Sequence, residues 1–136
     1  MAARRPLVLL ADDEASITRT LQMVLERHGY RVLPAYSAAE AISIMSDGKK
    51  FDMVITDLNM ERDDIGLEVA RTARALKPRP VVAICTGFAN VDNTREALKI
   101  HVDYLATKPV DLEEFTSNLQ RLILRRKYAL QDGGAW

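Results

Sequence analysis

The sequence predicts an α/β fold in which a five-stranded parallel sheet carries helices on both faces. Five short apolar runs alternate with five helix-period patterns along 136 residues. The connections between them are short, which favours right-handed crossovers and a three-layer sandwich. The first, third and fourth runs are apolar at nearly every position, as strands covered on both faces must be.

The first run, Leu7-Val8-Leu9-Leu10-Ala11, stops at Asp12 and Asp13. It follows a twin arginine, Arg4-Arg5, but is far shorter than the roughly 7–15 apolar residues of a secretory leader, so it reads as a strand. A helix follows with Ile17, Leu21, Val24, Leu25 and His28 on one stripe and Gly29 as its stop. Residues 31–35 form a second strand, and Pro34, lacking a ladder donor, assigns it to a sheet edge. Ser37-Ala38-Ala39-Glu40 reads as a capping box that opens a helix burying Ala41, Ile42 and Met45, ended by Asp47-Gly48. The third strand is 52–56, and the third helix, spanning 67–76, turns Ala70 and Ala73 inward before Pro78. The fourth strand is 80–85, and a helix over 90–100 shows only a thin stripe, Val91 and Leu98. The fifth strand is 103–107. The last helix opens at Asp111, with Glu114 three residues on, and is expected to bury Leu112, Phe115, Leu119, Leu122 and Ile123. Met23, Met45 and Met53 are expected to fill gaps in the core. Residues 125–128 are expected to fray and 132–134 to be disordered, which places the domain at 1–126 and a C-terminal tail or the start of a linker at 127–136.

Hydrophobic residues at 48% and charged residues at 28% describe an ordinary globular chain of one domain. A formal net charge of zero argues against a protein held to nucleic acid by bulk electrostatics, so no direct nucleic-acid binding is expected. Cys85 stands alone, which excludes an intrachain disulfide and suits a reducing compartment. No apolar run approaches the roughly 18 residues of a membrane span. The expected location is the cytoplasm, with no membrane association.

In a doubly wound sheet, ligands sit beyond the carboxyl ends of the strands. The residues there are Asp12 and Asp13 after the first run, Asp57 after the third, Thr86 after the fourth, and Lys108 with Pro109 after the fifth. Three carboxylates gathered on one face repel one another and call for a cation. Hard oxygen ligands with room for water describe a Mg²⁺ site. Lys108 adds a fixed positive charge and Thr86 a hydroxyl donor, a set able to stabilise a phosphoryl group in transfer. Asp57, at the end of the central strand, is then the natural nucleophile. Asp12 and Asp13 taken alone read as a helix cap and Lys108 alone as a solvated charge; their co-occurrence favours the site. Neither glycine-rich phosphate cradle is present, which disfavours dinucleotide and nucleoside triphosphate binding. His28 and His101 read as helix-end or surface residues.

Leu9-Leu10-Ala11-Asp12-Asp13-Glu14, Val54-Ile55-Thr56-Asp57-Leu58-Asn59-Met60, Cys85-Thr86-Gly87 and Thr107-Lys108-Pro109 resemble the signature blocks of response-regulator receiver domains. The resemblance runs through nearly the whole chain, and four blocks in this order and spacing are specific. It implies a flavodoxin-like sheet of strand order 2-1-3-4-5 and Mg²⁺-dependent phosphotransfer. Asp57 would be the phosphoacceptor; Asp13 and Asp57 would bind Mg²⁺ through carboxylates, Asn59 through its backbone carbonyl, and Asp12 through water. Thr86 would donate to a phosphoryl oxygen, and Lys108 would pair with one, set in place by a cis bond to Pro109. The implied donor is a sensor histidine kinase or a histidine phosphotransfer protein. The downstream effector is left unnamed, and a phosphorylation-dependent homodimer is left open. Such a chain is a switch that assists its own phosphorylation and hydrolysis rather than a turnover enzyme, either standing alone or forming part of a larger protein.

Three departures from the family pattern stand out. Glu61 replaces a proline, and Glu61-Arg62-Asp63-Asp64-Ile65 before Gly66 is one residue longer than the family's usual spacing, a solvated loop or acids that alter phosphate lifetime. Leu105 occupies the usual aromatic position, with Tyr104 on the opposite face. Ile100-His101-Val102 lacks the customary glycine. Two rivals remain: an aspartyl phosphatase or phosphotransferase, disfavoured by Asn59 where a second acid is usual, and a phosphorylation-independent interaction module of the same fold.

Overall fold

The computed structural model describes residues 4–134 and 136. Strands β1 (Leu7–Ala11), β2 (Arg31–Ala35), β3 (Met53–Asp57), β4 (Val81–Thr86) and β5 (Tyr104–Thr107) alternate with helices α1 (Ala15–Arg27), α2 (Ala38–Met45), α3 (Gly66–Arg74), α4 (Val91–Ile100) and α5 (Leu112–Gln131). All four pairings are parallel, and the strand order is β2-β1-β3-β4-β5. The expected order and the edge position of Pro34 are both present.

Alternation along each strand builds two cores. Leu9, Ala11, Val54, Val82 and Ile84 face α2, α3 and α4, where Ala41, Met45, Val69, Ala70, Ala73 and Ala97 meet them. Val8, Leu10, Met53, Ile55, Val81 and Ala83 face α1 and α5, against Leu21, Leu25, Phe115 and Leu119. Leu105 packs on the first face and Tyr104 on the second, as the two-residue period requires.

Several expectations are corrected. Asp57 and Thr86 are the last residues of their strands rather than the first beyond them. Met23, Val91, Leu98 and Leu112 are exposed; α4 buries Asn93, Ala97 and Ile100 instead, a face too polar and small for hydrophobic periodicity to find. Helix α5 does not fray at 125–128. Arg126 is buried there, donating to Arg79 O (2.7 Å) and to Asp52 Oδ1 (3.0 Å), and this holds the last turns down. Nor is 132–134 disordered: Gly133, at φ 70°, and Gly134 return their N–H groups to Leu130 O and Ala129 O. That is a Schellman ending, with glycine at the left-handed position. Trp136 then stacks on the Arg79 guanidinium, with Cζ 4.6 Å from the ring centroid.

His101 ends α4 in the left-handed region, φ 65° and ψ 48°. It occupies the backbone position where glycine is most at ease, which explains why the missing glycine matters there. Among the described residues no helix is long and apolar enough to cross a membrane.

Candidate functional site

The strand register assembles the site. Ala11 pairs with Thr56, so Asp12 stands beside Asp57; Thr86 pairs with Thr107, which Lys108 follows. The Lys108 N–H bonds to Thr86 O (2.8 Å), extending the β4–β5 ladder one step. The bond between Lys108 and Pro109 is cis.

One carboxylate oxygen from each of Asp12, Asp13 and Asp57 lies within 4.8 Å of the other two. Asp12 is buried at 2% exposure and Asp57 at 9%, while Asp13 is exposed and opens the cluster to water. Lys108 Nζ donates to Asp12 Oδ2 (2.9 Å) and Asp57 Oδ2 (3.1 Å). Asp57 Oδ1 accepts from the Leu58 N–H at 2.7 Å and, more weakly, the Asn59 N–H at 3.4 Å. Asp12 Oδ1 accepts from the Glu14 N–H (2.9 Å), so the helix-cap reading of this residue is partly true alongside the site reading.

Three carboxylates against one ammonium leave the cluster two negative charges in excess. Burial raises the Asp57 pKa above its ordinary 3.8 and the neighbouring Asp12 charge adds to the rise, although Lys108 pulls it back. Burial would lower the Lys108 pKa, but hydrogen bonds and attraction from Asp12 and Asp57 raise it overall. A divalent cation held by these oxygens would relieve the excess, and the donor set is entirely of the hard oxygen type. Nearby Cys85 is buried and its thiol is pushed up to about 12, which makes it a core residue rather than a nucleophile.

Thr86 is fully buried, and its Oγ1 accepts from the Phe88 N–H (3.0 Å). The Asn59 side chain is turned along its own loop, where Oδ1 accepts from the Asp64 N–H (2.7 Å). So Asp12, Asp13, Asp57 and Lys108 come together directly, while Thr86 and the Asn59 side chain are engaged with the turns beside them. Gly66 fits this crowding: a Cβ there would overlap the Asp57 carbonyl oxygen, so α3 starts with its backbone against the end of β3.

One residue of the long β3–α3 loop has a role that the sequence reading missed. Glu61 is turned away from the cluster, and its carboxylate accepts from the Ala38 N–H (2.7 Å) and Ala39 N–H (3.1 Å) at the start of α2. Its slight burial would raise its pKa, but those two donors and Arg62 hold it below the ordinary value. Only half of the expected capping box forms there, Ser37 Oγ accepting from the Glu40 N–H. The complete box is at α4, between Asn90 and Asn93, and an Asn-Asn pair carries no Ser/Thr…Glu signature to reveal it.

Residues 8–120 match the model of the response regulator receiver domain. The chain is 34% identical over 117 residues to the transcriptional regulatory protein ZraR of Salmonella typhimurium, covering 85% of this chain and 26% of that protein. It thus spans about a quarter of that relative's length. A receiver domain protein from Clostridium thermocellum superposes with a TM-score of 0.80 at 30% identity, covering 90% of this chain and 98% of that one. A CheY-like receiver domain protein from Methanospirillum hungatei JF-1 has the same fold, with a TM-score of 0.85, 22% identity, and coverage of 92% and 98%. With its acidic cluster at the β1–β3 switch point, its strand order and these matches, the chain belongs to the response regulator receiver domain family.

Proposed function

We propose that this domain accepts a phosphoryl group on Asp57, from a phosphohistidine on a sensor histidine kinase or phosphotransfer protein, and that it acts in the cytoplasm. The observation that carries the proposal is the convergence of Asp12, Asp13 and Asp57 within 4.8 Å beside Lys108. Asp13 and Asp57 would hold Mg²⁺ through their carboxylates, Asn59 would hold it through its backbone carbonyl, and Asp12 would act through water. When bound, the ion supplies charge neutralisation for an incoming phosphoryl group.

The chain's own residues do the rest. Asp57 is held by Leu58 N–H and Lys108, so its carboxylate oxygen is oriented without a rotamer search. The donor's P–N bond breaks as the Asp57 O–P bond forms. Lys108, carrying a proton held tightly by its two carboxylate partners, exchanges one of them for a phosphoryl oxygen. Thr86 turns its hydroxyl to another. The added charge then biases the face formed by α4, β5 and α5, through which an effector reads the state. All acid and lysine positions of the site are filled, which disfavours a phosphorylation-independent module.

Intact-mass spectrometry after incubation with acetyl phosphate and Mg²⁺ tests this. The expected result is one labile phosphoryl adduct on the native protein and none on Asp57→Ala. An alanine variant that still gains the adduct overturns the assignment.

A further inference from the structure

The turn after β4 and the loop after β3 are joined by a single buried amide that the chemistry above leaves unused. Asn93, on the first turn of α4, is 5% exposed. Its Oδ1 accepts from the Asn90 N–H (2.8 Å), while its Nδ2 donates to Phe88 O (3.0 Å) and to Asp64 Oδ1 (3.3 Å). Both Nδ2 hydrogens and the oxygen therefore have partners, and the flipped amide would satisfy none of them.

Each link continues toward the site. Phe88 uses its N–H on Thr86 Oγ1 and its carbonyl on Asn93, so it is held at its amide by Thr86 and at its carbonyl by Asn93. Asp64 sits at φ 58°, in the left-handed region, and gives its N–H to Asn59 Oδ1, two residues from Asp57. The result is a continuous path Thr86–Phe88–Asn93–Asp64–Asn59 running from the end of one strand to the end of its neighbour. Asp64 belongs to the Glu61–Ile65 stretch, one residue longer than the family pattern, so the path is built on a feature of this chain.

We propose that Asn93 is a positioning residue for Thr86: a latch that keeps the Thr86–Phe88 turn closed onto itself and so opposes engagement of a phosphoryl group. The proposal rests on the reading of Asp57 as phosphoacceptor. The Thr86 hydroxyl makes no hydrogen bond to Asp57 and is held instead at the Phe88 N–H, so engaging a phosphoryl group on Asp57 turns its side chain away from that N–H. Asn93 pins the Phe88 carbonyl and so keeps the N–H in place for Thr86; loosening Asn93 frees Phe88 and Asp64 together. The latch biases an equilibrium between two turn conformations, and its contribution is the strength of the Asn93 Nδ2 hydrogen bonds.

Asn93→Asp separates this role from helix capping. Aspartate keeps the oxygen that receives the Asn90 N–H but sets a second oxygen against Phe88 O and the Asp64 carboxylate. Beryllofluoride with Mg²⁺ is titrated and the Thr86 and Phe88 amide resonances are followed; Mg²⁺ alone is titrated in parallel. Asn93→Asp is expected to bind beryllofluoride about three- to tenfold more tightly, the factor that loss of one or two hydrogen bonds makes in a two-state equilibrium. Its affinity for Mg²⁺ alone is expected not to tighten. Adding Asp64→Asn restores the native net charge and one amide–carboxylate link, and returns the affinity partway. If Asn93→Asp fails to fold, Asp64→Gly keeps the left-handed backbone, removes one link, and is expected to tighten beryllofluoride by about two- to threefold. Unchanged or weakened beryllofluoride affinity in the folded variant, or equal tightening of Mg²⁺ alone, overturns the latch. Failure of the native protein to respond to beryllofluoride at all overturns the Asp57 reading, and the latch with it.

Discussion

Carboxylates meet cations at both ends of this sheet, and the two ends settle the meeting in opposite ways. At the end where the strands begin, Asp52 accepts from the Leu7 N–H (2.7 Å) and Arg126 (3.0 Å). Asp103 accepts from Arg79 (2.8 and 3.3 Å) and the Val82 N–H (2.7 Å). Two acids face three guanidiniums, Arg126, Arg79 and, more loosely, Arg4 at 3.8 Å from Asp52, and each acid also ties down a strand backbone, so no negative charge is left over. At the other end three acids share one ammonium, and one acid lies open to solvent. The first arrangement is closed and stabilises the fold. The second is left short of positive charge, the condition under which a site binds a cation and then an anion.

The sharpest way to break this contrast is to damage the closed end. Asp52→Ala strands the Leu7 N–H without an acceptor and leaves buried Arg126 its Arg79 carbonyl contact but not its paired carboxylate. A loss of about 3 kcal/mol is expected, because removing one partner leaves the other charge buried and uncompensated. Urea unfolding reads it, and a loss below about 1 kcal/mol would show the closed end to be no more than a surface pair.

The open end should respond with the opposite sign. Asp57→Asn in metal-free protein is expected to raise the melting temperature at neutral pH. The folded-state pKa of Asp57 is raised, so the folded protein takes this proton more readily than the unfolded chain does. The charged form therefore costs stability. That cost is absent below the ordinary 3.8, grows as pH climbs from there through the raised value, and is complete above it. The gap between Asp57→Asn and the native protein should open over that window and then stay level, with Asp12 still pairing Lys108. Mg²⁺ should narrow or invert it, because the ion stabilises the native site more than the amide variant. A native protein more stable than Asp57→Asn at neutral pH without metal would place the open end in the same class as the closed one.

The two ends also differ in how far they could be read in advance. Asp12, Asp13, Asp57, Thr86 and Lys108 were legible because each directly ends or follows an apolar run, and one rule about strand ends gathers them. Asp52 and Asp103 lie just before strands, where no such rule applies, and Arg126 sat in a stretch read as fraying. What holds it is a carboxylate 74 positions away. The same distance problem hid Glu61, whose partners are 22 and 23 residues earlier. A loop acid reads as solvated until the fold delivers a helix N-terminus to it. Val91 and Leu98 failed for another reason. Periodicity finds an apolar stripe but not which way a short helix with small and polar inner residues will turn it.

Glu61 gives the smallest expected effect and the finest test, because it lies between the two classes: an acid near the open end that is nevertheless satisfied. Its carboxylate meets two amide N–H groups at the positive end of α2. Glu61→Gln keeps one acceptor and loses the charge, so a loss of about 0.3–1 kcal/mol is expected, shrinking at high salt. The sign with pH is the reverse of that for Asp57. The folded-state pKa of Glu61 is depressed, so its contribution is complete above the ordinary 4.5 and fades as pH falls through the depressed value. Two unfolding series, one against pH and one against salt, therefore separate the loop acid that caps a helix from the strand-end acid left short of positive charge. If Glu61→Gln instead stabilised the protein at neutral pH, Glu61 would belong with the uncompensated cluster. The long loop would then be an extension of the acidic cluster rather than a brace between α2 and β3.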